Sequence, residues 1–158
     1  MRVVDVYKKI LVAFDGSEPS KNALEHATSI ATKFKAKLIL LAIIQRGMIP
    51  IFPDEGFGGF PLLSSKYMAL HQEKMRREYQ AVLDDAMIQI KKEHPGLMVE
   101  AVLKEGRLSA TITAFAENEG VDLILMGSRG LDMYTSWILR STSHRVFDSG
   151  TKSVIIVK

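Results

Sequence analysis

Residues Val121 to Thr142 read VDLILMGSRGLDMYTSWILRST. The opening apolar run, Val121 to Met126, carries a single charge, Asp122. Gly127-Ser-Arg-Gly130 follows, then nine residues, then Arg140-Ser141-Thr142 and a segment of helical pattern. A buried strand feeding a glycine turn and then a helix start is how α/β proteins hold phosphate. Glycine lets the backbone approach the ligand, and free N–H groups at a helix N-terminus favour negative charge. The rest of the chain reads as scaffold for that site.

Downstream of this stretch, Ser141 to Ser149 is expected to form a last helix ended by Gly150, and Ser153 to Lys158 (SVIIVK) a fifth strand. Upstream, Leu108 to Glu119 spaces Leu108, Ile112, Phe115 and Ala116 as the inner face of a short helix stopped by Gly120. Lys9 to Phe14 (KILVAF) is a buried first strand, closed by Asp15-Gly16-Ser17. Ser17 is placed to cap a helix running from Pro19 to about Lys35. Lys37 to Ile44 (KLILLAII) is a second buried strand, and Leu97 to Leu103 (LMVEAVL) a third, more amphipathic and so nearer a sheet edge. Between them, Ser65 is expected to cap a long helix over Lys66 to Glu93, stopped by His94-Pro95-Gly96. Its inner stripe is Met75, Tyr79, Val82, Leu83, Ala86, Met87 and Ile90, which reads as core filler. Strands alternating with helices, each strand apolar on both faces, predict one parallel sheet with right-handed crossovers and helices on both sides. Ligands of such sheets sit beyond the carboxyl ends of the strands, where strand order reverses. Asp15, Ile43 and Gly127 all lie at such ends and are expected to converge on one crevice.

The segment Arg46 to Ser65 interrupts this rhythm with Pro50, Pro53 and Pro61 and four glycines. Its apolar residues, Met48, Ile51, Phe52, Phe57 and Phe60, either cover the core edge or shelter a ligand or partner subunit. Its glycines do not resemble a phosphate loop, because prolines on both sides keep them from opening directly into a helix.

At 158 residues, 47% hydrophobic and 25% charged, the chain has the make-up of one globular domain. It has no cysteine, which excludes disulfides, thiol catalysis and thiolate metal sites. The longest apolar run, Leu38 to Ile44, falls far short of the ~20 residues of a membrane span. The N-terminus lacks the pattern of a signal peptide, so a cytoplasmic location is expected. A formal charge of +3 is only mildly basic, and its basic residues cluster no further than pairs. That argues against nucleic acid and suits a phosphate-bearing small molecule.

Three segments resemble the universal stress protein family and extend the likeness over nearly the whole chain. They are KKILVAFDGSEPS at the start, EGVDLILMGSRGL at the fourth strand and the terminal SVIIVK. The resemblance implies an adenine nucleotide alpha hydrolase-like fold, a doubly wound five-stranded parallel sheet in the order 3-2-1-4-5. The nucleotide-binding branch of the family is marked by Gly, two residues, Gly, nine residues, then Gly and Ser or Thr. Gly127, Gly130 and Ser141 match in place, whereas position 140 is Arg. Carried over by position, Ala13, Phe14 and Asp15 would border the nucleoside and Ile43 the base. Met126, Gly127, Arg129 and Gly130 would follow the ribose and phosphates, and Ser141, Thr142 and Ser143 would offer hydroxyls and N–H groups to the phosphates. The implied ligand is ATP or another adenine nucleotide, with or without Mg²⁺.

Arg140 leaves two outcomes open. A Cβ costs roughly 1–2 kcal/mol if the position requires left-handed backbone, and the long side chain could fill the phosphate site. Alternatively, its guanidinium makes charge-assisted bonds to a polyphosphate, as could that of Arg129. Asp15 also has two readings, a turn residue that serves the next helix or a ligand to the nucleoside or a phosphate-bound Mg²⁺. His26, His71, His94 and His144 show no metal-ligand spacing, and no G-x-S-x-G elbow or Walker loop is present. The expected function is therefore a non-catalytic nucleotide-binding protein of stress response or signalling. The alternative is a same-fold interaction protein that binds no nucleotide because of Arg140. A pyrophosphatase-type synthetase ranks last, since Phe14-Asp-Gly-Ser-Glu-Pro19 departs from its SGGxDS pattern. The terminal strand 153–158 would expose an apolar edge in a monomer, and in the family it commonly pairs with its mate, so a homodimer is expected.

Overall fold

The computed structural model describes residues 6–45, 61–128 and 142–158, of which 61–65 by backbone alone. Most of the proline-rich segment, together with Arg129, Gly130, Arg140 and Ser141, lies outside the described residues. The element order is β1 (Lys9–Ala13), α1 (Glu18–Phe34), β2 (Lys37–Gln45), α2 (Pro61–Glu93), β3 (Val99–Gly106), α3 (Leu108–Asn118), β4 (Leu123–Gly127), α4 (Thr142–Ser149) and β5 (Ser153–Val157). The five strands form one parallel sheet in the order β3-β2-β1-β4-β5. The fold and strand order are those that the sequence and its family resemblance imply.

Period-two alternation along the central strands divides the core between two faces. Ile10, Val12, Leu38, Leu40, Leu123 and Leu125 point toward α1 and α2, where they meet Ala23, Ala27, Ala31, Leu83, Ala86 and Ile90. Leu11, Ala13, Ile39, Leu41, Ile43, Ile124 and Met126 point the other way, toward Leu108, Ile112 and Ala116 of α3 and Val146 of α4. Small alanines on the buried stripe of α1 let that helix lie close over the sheet. Ser17 caps it, accepting from the Ser20 N–H at 3.4 Å, as its position before Pro19 predicts.

Three boundaries differ from expectation. Ser65 does not cap α2, which begins at Pro61. Proline lacks an N–H and has its φ preset, so it interrupts the segment before it yet suits the first turn of a helix. β3 begins at Val99 and runs on through Lys104, Glu105 and Gly106, because the far end of β2, Ile43 to Gln45, supplies backbone partners for all three. β4 begins at Leu123 instead of Val121. Asp122 stands just before it, and its carboxylate Oδ2 accepts from the backbone N–H groups of Lys8 (2.8 Å) and Lys9 (2.9 Å). That carboxylate joins the amino ends of β1 and β4, a role its place in an apolar run only hints at.

Candidate functional site

The site is assembled at the carboxyl ends of β1, β2 and β4. β1 sits between β2 and β4, and the chain turns outward from it in both directions, so the gap beyond β1 and β4 is the switch point of the sheet. In the register, Ala13 is level with Leu41 and Val12 with Leu125, which brings Ala13 beside Met126 and sets Ile43 two residues higher. Ala13, Ile43 and Met126 share one face and one buried cluster, 6%, 4% and 2% exposed. They give a short apolar floor beneath whatever occupies the gap.

Asp15 rises from this floor in the turn between β1 and α1. Its Oδ1 accepts from the Ser17 backbone N–H at 3.0 Å and from the Ser17 hydroxyl at 2.6 Å, and its own N–H reaches Ser20 Oγ at 3.4 Å. Ser20 is 2% exposed and donates its hydroxyl to the Ser17 carbonyl at 2.8 Å. The carboxylate therefore organises the turn through one oxygen. Among the described residues Oδ2 takes no hydrogen bond, and it remains free for a hydroxyl or a hydrated cation. Ser20 is a supporting residue that motif reading misses, and Ser17, read as the helix cap, also holds Asp15. Their signal is the i, i+3 hydroxyl spacing at a helix start.

Phe14 contributes differently from its neighbours. Its side chain is buried in the α1/α2 cluster, and its N–H donates to the Leu41 carbonyl at 2.9 Å. Only its backbone can border the gap. Gly127, the last residue of β4, faces the same side, where a Cβ would lie 2.5 Å from the Pro19 carbonyl carbon and 2.6 Å from its oxygen. Glycine is required there so that the first turn of α1 can close on β4. The next residue, Ser128, donates its N–H to Val157 O at 2.7 Å and carries the chain on toward Arg129. Thr142 and Ser143, half-buried, are the first described residues of α4. Arg129, Gly130, Arg140 and Ser141 were expected at this site but lie outside the described residues.

Of the histidines, His26 and His144 are exposed and His71 and His94 are half-buried. His144 Nδ1 lies 3.2 Å from Asp148 Oδ2 one turn along α4, and both are exposed. Among the described residues no cluster of His, Asp and Glu could hold a metal ion, and no helix is long and apolar enough to cross a membrane.

The model of the Universal stress protein family matches residues 6–158. The chain belongs to the universal stress protein family. A relative, the universal stress protein MJ0577 of Methanocaldococcus jannaschii, is 31% identical over 159 residues, covering 97% of this chain and 96% of its own. Its solved structure superposes with a TM-score of 0.66 at 29% identity, over 97% and 96% of the two chains. Two further structures of the family show the same fold. A universal stress protein in complex with cAMP matches at TM-score 0.67 and 23% identity, over 97% and 98% of the chains. A universal stress protein from Archaeoglobus fulgidus in complex with dAMP matches at 0.65 and 19%, over 97% and 99%.

Proposed function

We propose that this universal stress protein binds an adenine nucleotide, ATP in the first instance, at the carboxyl ends of β1, β2 and β4, and acts in stress response or signalling as a non-catalytic homodimer. The observation that carries the reading is one juxtaposition. The free Oδ2 of Asp15, the apolar floor of Ala13, Ile43 and Met126, and the glycine end of β4 stand at a single switch point. An apolar floor suits a purine, a carboxylate oxygen suits the ribose hydroxyls or a phosphate-bound Mg²⁺, and the start of α4 suits phosphate. The cAMP and dAMP complexes of related proteins support adenine nucleotides as the ligand class. In this reading Thr142 and Ser143, with Ser141, meet the phosphates, and Arg129, Gly130 and Arg140 flank them.

Arg140 occupies the place of the motif's third glycine, which keeps a second reading in play: a same-fold interaction protein without nucleotide. Calorimetric titration of wild type and Arg140→Gly with ATP, ADP and AMP separates the two. Binding by wild type that weakens in Arg140→Gly identifies the guanidinium as a phosphate ligand. Binding gained only in the variant identifies Arg140 as a block. No binding by either protein would overturn the nucleotide reading.

A further inference from the structure

On the opposite face of the sheet from the nucleotide gap, α1 and α2 run in the same direction and leave a groove of about 570 Å³ between them. Its floor is apolar, made by Phe14, Leu24, Ala86 and Ile90. Its walls carry three carboxylates, Glu25 on α1 and Asp85 and Glu93 on α2. Among the described residues none of the three meets a cation. Glu93 accepts only from the neutral Gln89 amide, at 3.1 Å. The single ammonium at the groove, Lys21, is held at 2.7 Å by Glu18, which faces outside it. The groove thus combines an apolar floor with an excess of exposed negative charge, three carboxylates against Lys21 and the imidazole of His94.

From this we propose that the α1–α2 groove binds a small amphipathic organic cation, its hydrocarbon body on the Phe14–Ile90 floor and its ammonium among Glu25, Asp85 and Glu93. The apolar floor disfavours a bare metal ion, and the carboxylates disfavour a fatty acid or phosphate. The groove's volume falls within the range of small-molecule sites. The ligand class differs from a nucleotide, and of the residues placed at the nucleotide gap the groove uses only Phe14, through its side chain and not its backbone.

The test is titration of the full-length protein with octyltrimethylammonium, octanoate and octyl glucoside, each below its micelle limit, followed by calorimetry and by methyl NMR of Thr28, Ala86 and Ile90. The cation is expected to saturate, to shift these three methyls, and to bind about tenfold tighter than octanoate. The double variant Asp85→Asn/Glu93→Gln, isosteric at two exposed positions, should loosen the cation about two- to fivefold per charge removed while leaving octyl glucoside unchanged. Ser29→Trp, which puts an indole in the groove, should abolish binding. Octanoate binding as tightly as the cation, shifts confined to other residues, or cation affinity unaltered in the charge-neutral variant would each overturn the proposal.

Discussion

Asp122 and Gly127 bracket β4, and each does its work through atoms that sequence patterning does not reveal. Two backbone N–H groups of β1 converge on one Asp122 oxygen. Bonds to an ionised acceptor are among the stronger ones, and deleting the acceptor strands both donors. Asp122→Ala is expected to cost about 2 kcal/mol in urea unfolding, and Asp122→Asn less, since the amide oxygen can still accept. Equal stability of Asp122→Ala and wild type would show that water replaces the carboxylate. At Gly127 the constraint is steric. A methyl group there would press on the Pro19 backbone, which cannot swing aside as a side-chain tip can. Gly127→Ala should therefore destabilise by about 1–3 kcal/mol with no ligand present. An unchanged midpoint would mean that the glycine serves the ligand alone.

At the scale of elements, β5 is held at its start by a small polar cluster and left open along its outer edge. Glu117 at the end of α3 accepts from the Thr151 hydroxyl and lies 3.7 Å from Lys152 Nζ. The Thr151 hydrogen bond, with a smaller contribution from the Lys152 charge, lowers the Glu117 pKa below the ordinary carboxylate value. Because the folded pKa is the lower one, the stabilisation is present above the unfolded value of 4.5 and fades as pH falls through the folded one. The gap in melting temperature between wild type and Glu117→Gln, small at an exposed site, should thus be present at about pH 7 and shrink as the pH falls below 4.5. A gap that persists in acid would assign it to packing instead. Along the outer edge, Ile155 and Ile156 are 39% and 44% exposed on a strand whose sole sheet partner among the described residues is β4. An apolar edge of this kind invites a second strand, and it is the surface we propose for the homodimer. Ile155→Lys/Ile156→Lys should halve the mass seen by analytical ultracentrifugation while retaining the fold, because both positions are exposed and Val157 keeps its place in the core. A dimer that survives this variant would place the interface elsewhere.

For the whole molecule, the sequence by itself determined the alternation of strands and helices, the parallel sheet and the end of it at which we propose the site. Strands such as KLILLAII are apolar on both faces, and that pattern admits only a doubly covered sheet. It also marked Asp15, Ile43 and Gly127 as strand-end residues, since Gly, Asp and Ser after an apolar run are local signals. Tertiary structure alone decided the rest, because the partners are remote in the chain. Asp122 meets Lys8 and Lys9 across more than a hundred residues. Phe14 turns away from the gap flanked by its own neighbours because strand alternation sends it into the α1/α2 core. The acidic groove exists only because two helices, neither of which encodes it, stand apart over one face of the sheet. Local pattern fixes which face of an element is apolar. Which residues then come within a bond length of each other depends on how those faces are stacked, and no single segment contains that information.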